Sequence, residues 1–327
     1  MSGETWRGTL QIAKETVPGT PVPATRRLYV REPNFVDEPE ARFWKFATTT
    51  RDNTRGMTLG PAVVSGQFSV PISSDEIIEL LLLGVQGSVV PTGTTAKLWT
   101  FLSGGVDLDS ATFEWHDGAH VHVIDGCRVQ QLRIAGSANG ENLVTADVYG
   151  LAIADGTLTP ALAERTPRFF EGWETKLYID NFGTTPGTTV VPGTLINWDV
   201  TIGNNLGRKY TADNVNEQNS MPFGELAVEA TLMFEAAPAT SLAEYGIFKN
   251  ATKRVIRLEF GNNEVIAATD HHFVTVDLPG AWSAATLSGE DAGTRTYEFT
   301  YGYVYDPALG AGCRVRAQNA RATAYAA

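Results

Sequence analysis

The sequence predicts a mainly β protein of two tandem β-sandwich or barrel modules, each with one short flanking α-helix and a long arm. Three observations predict it. Gly (32) and Pro (16) are frequent among many Thr and Val residues, the composition of strands joined by tight turns. Several runs alternate with period two. In 225–235, Leu226, Val228, Ala230, Leu232 and Phe234 share one face, and Glu225, Glu229, Thr231 and Glu235 share the other. In 297–303, Tyr297, Phe299, Tyr301 and Tyr303 share a face. Strands buried on one side and wet on the other build antiparallel sandwiches and barrels. The third observation is repetition.

Residues 57–70, MTLGPAVVSGQFSV, face 221–234, MPFGELAVEATLMF, at an offset of 164. Next, Ser73-Ser74-Asp75-Glu76 matches Ser241-Leu242-Ala243-Glu244. Both read as capping boxes opening short helices, one ending with Gly84 as its C-cap and one near Asn250. Ile124-Asp125-Gly126 faces Leu278-Pro279-Gly280. Residues 133–150 face 286–302, each with a G-x-x-x-G hairpin loop, Gly136–Gly140 and Gly289–Gly293. Pro160-Ala161-Leu162 faces Pro307-Ala308-Leu309. The expected modules are 1–165 and 166–327. Each has an opening strand (Leu28-Tyr29-Val30; Leu177-Tyr178-Ile179), then a polar arm (31–56; 203–220), then a strand, a helix covering one end or edge of the sheet, and a final hairpin.

The 327 residues, 43% hydrophobic and 10% aromatic, fill a sizeable core and exclude dominant disorder. With 25 Lys and Arg against 37 Asp and Glu, the net charge of −12 argues against gripping phosphates. The longest apolar run, Ile77 to Val85, is broken by Glu79 and Gly84 and is too short to span a membrane. The N-terminus lacks a signal-like apolar segment, and the two cysteines, Cys127 and Cys313, cannot form a disulfide framework. A reduced, cytoplasmic origin is expected. Asn250-Ala251-Thr252 is an isolated glycosylation match.

The motifs of phosphate-binding loops, serine hydrolases, zinc proteases and EF-hands are missing, so neither enzyme nor cofactor is expected. His120 and His122 would share a strand face as metal ligands, but Asp117-Gly118 beside them also reads as a plain turn. His271-His272 points its rings to opposite faces. Glu225 with Glu229, or Asp107 with Asp109, could serve a glycosidase or line a solvated strand. Phe43-Trp44-Lys45-Phe46 sits in the first arm, either tucked onto its own module or docked on a neighbouring subunit. After Asp306 the chain has no acid and three bases, Arg314, Arg316 and Arg321, fitting an acidic partner face or a solvated tail.

The opening stretch LQIAKETVPGTPVPATRRLYV (10–30) resembles the start of tail tube proteins, the major tail proteins of long, non-contractile-tailed bacteriophages. The matching residues are Ala13, Lys14, Glu15, Thr16, Gly19, Thr20, Val22, Ala24 and Thr25. The resemblance implies a structural virion protein whose modules close into six-module rings. Such rings stack into the tube through which DNA leaves the capsid. Two modules per chain then imply a homotrimeric, pseudo-hexameric ring. Its partners would be itself, other tail proteins at the tip and terminator ends, and double-stranded DNA passing without specific binding. No membrane is involved, and assembly is expected in the host cytoplasm. The expected lumen-lining residues are Glu225, Glu229, Thr231 and Glu235 in one copy and Ser65, Gln67 and Ser69 in the other, an acidic and a neutral patch. Phe43, Trp44, Phe46, Arg314, Arg316 and Arg321 are the expected inter-subunit residues. A tail-tip or neck protein and a carbohydrate-binding β-sandwich are the alternatives.

Overall fold

In the computed structural model, residues 8–105, 107–212, 216–237, 239–261 and 263–326 are described. The first half runs β1 (Thr9–Lys14), β2 (Arg26–Leu28), β3 (Arg31–Asp37), β4 (Ala41–Lys45), β5 (Thr54–Leu59), β6 (Val64–Pro71), α1 (Ile77–Gly84), β7 (Lys97–Leu102), β8 (Ala111–His116), β9 (Val121–Ser137), β10 (Asn142–Gly150) and β11 (Ala152–Asp155). The second runs β12 (Thr175–Asn181), β13 (Leu195–Gly203), β14 (Ala227–Glu235), α2 (Ser241–Lys249), β15 (Arg254–Phe260), β16 (Val265–Ala267), β17 (Asp270–His271), β18 (Phe273–Asp291), β19 (Thr294–Tyr303) and β20 (Arg314–Asn319).

Eight strands pair antiparallel in the order β3-β6-β10-β9-β13-β14-β19-β18. The two longest, β9 and β18, enter this sheet only with their C-terminal parts. Their N-terminal parts belong to smaller sheets, β2-β1-β8-β9-β11 and β12-β15-β18-β20-β7. Just inside the C-terminal part the register slips, opposite Asp147/Val148 for β9 and at Trp282/Ala284 for β18. An extra residue bends a strand sharply, which lets one strand serve two sheets. The core lies between the layers: Phe68 of β6 meets Phe113 of β8 at 6.0 Å, and Trp198 of β13 meets Phe260 of β15 at 6.4 Å. The pairing order β3-β6-β10-β9-β8-β1 recurs as β13-β14-β19-β18-β15-β12.

Several local expectations need correction. β12 takes the pairing place of β1, so Leu177–Ile179 corresponds to 9–14 rather than to Leu28–Val30. Residues 31–37 are not arm but strand β3, which shortens the first arm to about 38–60. Neither capping box forms. Ser73 Oγ accepts from the Asp75 N–H, while Glu76 turns inward to Arg26 at 2.9 Å and Arg165 at 2.7 Å. Ser241 bonds back to Ala237, and Glu244 accepts from Trp282 Nε1 at 2.8 Å. Gly84 is the last helical residue rather than the cap. A Cβ there would lie 3.0 Å from Val129, so the close approach of β9 explains the glycine. All eight residues of α1 are buried, as an apolar-all-round helix must be; it is a core helix rather than an edge cover. Only Ser241 and Glu244 of α2 are buried. The β18–β19 hairpin turns on Ala292 (φ 47°) and Gly293 (φ 82°), the two left-handed positions that match the strands' twist.

The halves exchange parts. β7 of the first half extends the second half's sheet by pairing β20. The segment after β20 then returns to the first half. Arg321 reaches Glu79 at 2.6 Å, the Tyr325 N–H donates to Glu79 at 3.1 Å, and Asn319 Nδ2 donates to the Ser74 carbonyl at 2.6 Å. Arg26, wholly buried, lies 3.2 Å from Glu79 as an ion pair. Cys127 and Cys313 are both free and buried.

Asp125, at the β9 bend, gives a pH prediction. Burial, then Glu15 and Glu217, raise its carboxyl to about 6, against one opposing hydrogen bond from the Ala152 N–H. A raised acid binds its proton more tightly folded than unfolded, so stability falls as pH climbs from about 4 to about 6. Asp125→Asn keeps the acceptor and removes the charge. After discounting for its half-exposed position, it should stabilise the fold by about 1 kcal/mol at pH 8. It should give nothing at pH 4; equal unfolding midpoints at pH 8 would refute the assignment.

Candidate functional site

The site begins with the parity of the eight-stranded sheet. Residues directly opposite across antiparallel strands share a face. Register therefore carries one row through Arg31, Ser69, Thr145, Arg133, Thr201, Glu229, Gly302 and Ala281. A second row joins Asn34, Gln67, Asp147 and Gln131, and a third joins Leu143, Ala135, Asp199, Thr231 and Thr300. The opposite face (Phe68, Val144, Leu132, Ile134, Val200, Val228, Leu232 and others) is the core. The sheet thus brings Ser65, Gln67, Ser69, Glu229, Thr231 and Glu235 from both halves onto one continuous outward face. Glu225 is not among them. It is exposed two residues ahead of β14, where its carbonyl accepts from Asn205 Nδ2 at 2.7 Å.

The face is polar and short of positive charge. Arg133 is held by Asp199 through bonds from Nε at 2.8 and 3.0 Å and a further one from its terminal nitrogen. These hydrogen bonds keep the guanidinium charged and raise its pKa. Asp147 accepts from Gln67 Nε2 at 2.6 Å. Arg31, at the edge, is paired with Glu141. Arg128, opposite Tyr149, lies under the Met221 carbonyl, and Glu229, Glu235 and Glu298 add negative charge. Arg133, Asp147 and Asp199 were missed from the sequence, although Val144-Thr145-Ala146-Asp147-Val148 alternates as cleanly as 227–235.

At one end of the sheet, after Asp37 and before Val64, stands the first arm, a hairpin of β4 and β5 separate from the larger sheet. Ala41, Phe43, Met57 and Leu59 share one side and Trp44 the other, with Trp44 Nε1 donating to Thr58 Oγ1 at 2.9 Å. Phe43, Trp44 and Phe46 are all at least half exposed, so the aromatic cluster does not tuck onto its own module. An isolated two-stranded hairpin is marginal in water.

A family model for phage tail tube proteins matches residues 5–302. The chain belongs to the phage tail tube protein family. A comparison with curated proteins finds no match. Family membership makes the protein a structural component of the virion tail, one that assembles with itself and with other tail proteins.

The other candidates in this tail tube protein have local explanations. The second arm, expected to extend at 203–220, folds across the first half instead, with 213–215 outside the described residues. Arg314 binds Asp277 at 2.7 Å, Arg316 Nε reaches Thr275 Oγ1 at 3.3 Å, and Arg321 sits on Glu79. All three expected interface arginines therefore have partners within the chain. Asp117 closes the β8–β9 turn by accepting from the Ala119 and His120 N–H groups, and His122 lies 3.5 Å from Asp117. Among the described residues, no cluster of His, Cys, Asp and Glu could hold a metal and no helix is long and apolar enough to cross a membrane. Asp109 is tied to Lys14 at 2.8 Å.

Proposed function

We propose that the protein polymerises as stacked rings, three chains to a ring, and that the eight-stranded polar face lines a lumen that conducts DNA during ejection. One observation carries this: the sheet ends in two unpaired edges that repeat an internal junction. Among the described residues, β3 pairs only with β6, and residues 281–291 of β18 pair only with β19. Inside the chain, the strand in the place of β3 (β13) already pairs with the strand in the place of β18 (β9). Repeating that junction between chains removes both edges, which otherwise invite uncontrolled pairing. The shared pairing order supports two tandem modules, 1–165 and 166–327, related by duplication.

Barrel geometry supports three chains. Strands about 4.8 Å apart and tilted about 40° give roughly 48 Å across the backbones for three chains of eight strands. Two chains would give roughly 32 Å, which inward side chains narrow towards the duplex itself. Glu229, Glu235, Glu298 and Asp147 facing the lumen repel phosphate, so DNA slides rather than sticks. Head-to-tail stacking of such rings yields an open filament. Other tail proteins would start and end it, with assembly in the host cytoplasm.

Electron microscopy of the purified protein should reveal hollow tubes with three chains per ring. Six chains per ring, or Glu229 on the outer surface, would refute the arrangement, and rings that never stack would favour a tip or neck part. In virions, Glu229→Lys with Glu235→Lys should leave tubes intact and slow ejection, most at low ionic strength. An unchanged rate there would remove the repulsive role of this face.

A further inference from the structure

The two arms are built alike but treated differently. Counting 164 residues on from Lys45 and Gly56 gives Lys209 and Ser220, which form a bridge closing the second arm as β4–β5 closes the first. The second arm lies on the first half. Tyr210 Oη donates to the Ala62 carbonyl at 3.0 Å, and the Ala62 N–H donates to the Asn216 carbonyl at 2.8 Å. Gln218 Nε2 donates to the Gly150 carbonyl at 3.3 Å, Arg128 to the Met221 carbonyl at 3.3 Å, and the Leu206 N–H to Gln130 Oε1 at 2.6 Å. Met221 is consequently 4% exposed, whereas its counterpart Met57 is 58% exposed. The first arm lacks a module to lie on within its own chain.

Strand register locates the corresponding surface on the second half. Ala62 maps to Leu226 by the same offset. Gly150, opposite Val64, maps to Tyr303, next to the Glu229–Gly302 pair. Arg128, opposite Tyr149, maps to Ala281, opposite Gly302, and Gln130 maps to Ser283. That surface is uncovered: Ser283 is exposed and Tyr303 is 37% exposed. A compensating exchange marks it. On the first half the arm's Tyr210 supplies the hydroxyl to the Ala62 carbonyl. On the second half Tyr303 Oη donates to the Leu226 carbonyl at 2.9 Å, and the arm carries Phe46 where the other carries Tyr210.

We infer that the first arm of each chain docks on the second half of a neighbouring copy in the same ring, over Leu226, Ala281, Ser283 and Tyr303, as the second arm docks on the first half. This rests on the ring proposed above. A photo-crosslinking residue placed at Phe46 of the full chain, activated in assembled tubes, should join one chain to segment 222–228 or 301–305 of another. Crosslinks within a chain overturn the inference. So do crosslinks to the far end of the sheet, such as the 75% exposed Trp173 beside the β9–β10 turn, which place the arm along the tube axis. Either result in normal tubes leaves the ring reading standing, whereas failure of the unmodified protein to form rings rejects both. Independently, Ser283→Trp should raise the concentration needed for tube formation at least tenfold with unchanged unfolding; an unchanged assembly concentration overturns the docking surface.

Discussion

Replacing Glu79 with Gln should destabilise the protein by about 3–5 kcal/mol, the cost of leaving buried charges without their partner. Glu79 is fully buried in α1, with Arg26 at 3.2 Å and Arg321 at 2.6 Å. Glu76 at its side binds Arg26 and Arg165. Removing one carboxylate leaves three arginines around a single acid in a largely buried site. Burial pushes the Glu79 carboxyl up, but Arg321 and Arg26 outweigh it and hold the pKa below the ordinary value. A depressed acid stabilises the fold above its unfolded pKa, and that contribution is lost as pH falls through the folded one. Denaturant unfolding should therefore separate the two proteins widely at pH 7 and progressively less in acid. A difference under about 1 kcal/mol at pH 7 would mean that water reaches the cluster. Replacing the whole cluster with apolar residues of equal volume should be neutral or stabilising, since the pairs offset their own desolvation at best.

The second large effect belongs to the first arm. Trp44→Ala should leave monomer unfolding within about 0.5 kcal/mol, because the side chain is half exposed and its hydrogen bond stays within its own hairpin. The same change should weaken assembly by about 2 kcal/mol per contact, the scale of an aromatic anchor, raising the concentration at which tubes form about 30-fold. Sedimentation of tubes against protein concentration measures it. Normal assembly with a lowered melting temperature would place Trp44 in a structural role within its own chain.

Much of the fold was readable because its signals are local. Period-two alternation in 227–235, glycines in hairpin turns and the Asp117-Gly118 turn act within a few residues. The polar face was half visible: the two strands proposed for it lie on it, while Arg133, Asp147 and Asp199 join through register, a property of pairs of strands. What failed was non-local. Ser-x-x-Glu spacing describes a capping box only if the glutamate has no better partner, and Glu76 finds Arg26 fifty residues away. The bases of the C-terminal segment looked like an outward face because Asp277 and Glu79 are distant in sequence. Leu80 to Leu83, four apolar residues in succession, fit a helix covered on all sides, where an edge cover was expected.

The exchange of β7 and the C-terminal segment sets an order of events during synthesis. Tyr325 meets Glu79 across 246 residues, and β7 finds β20 only after the second half has been made. At about 5–20 residues per second, the ribosome needs on the order of 10–30 s after the first half emerges before its last charge is matched and its stray strand is covered. A nascent chain therefore holds its first half open until the second half has followed it. A chain that stops short of β20 should leave Glu79 and β7 without these partners.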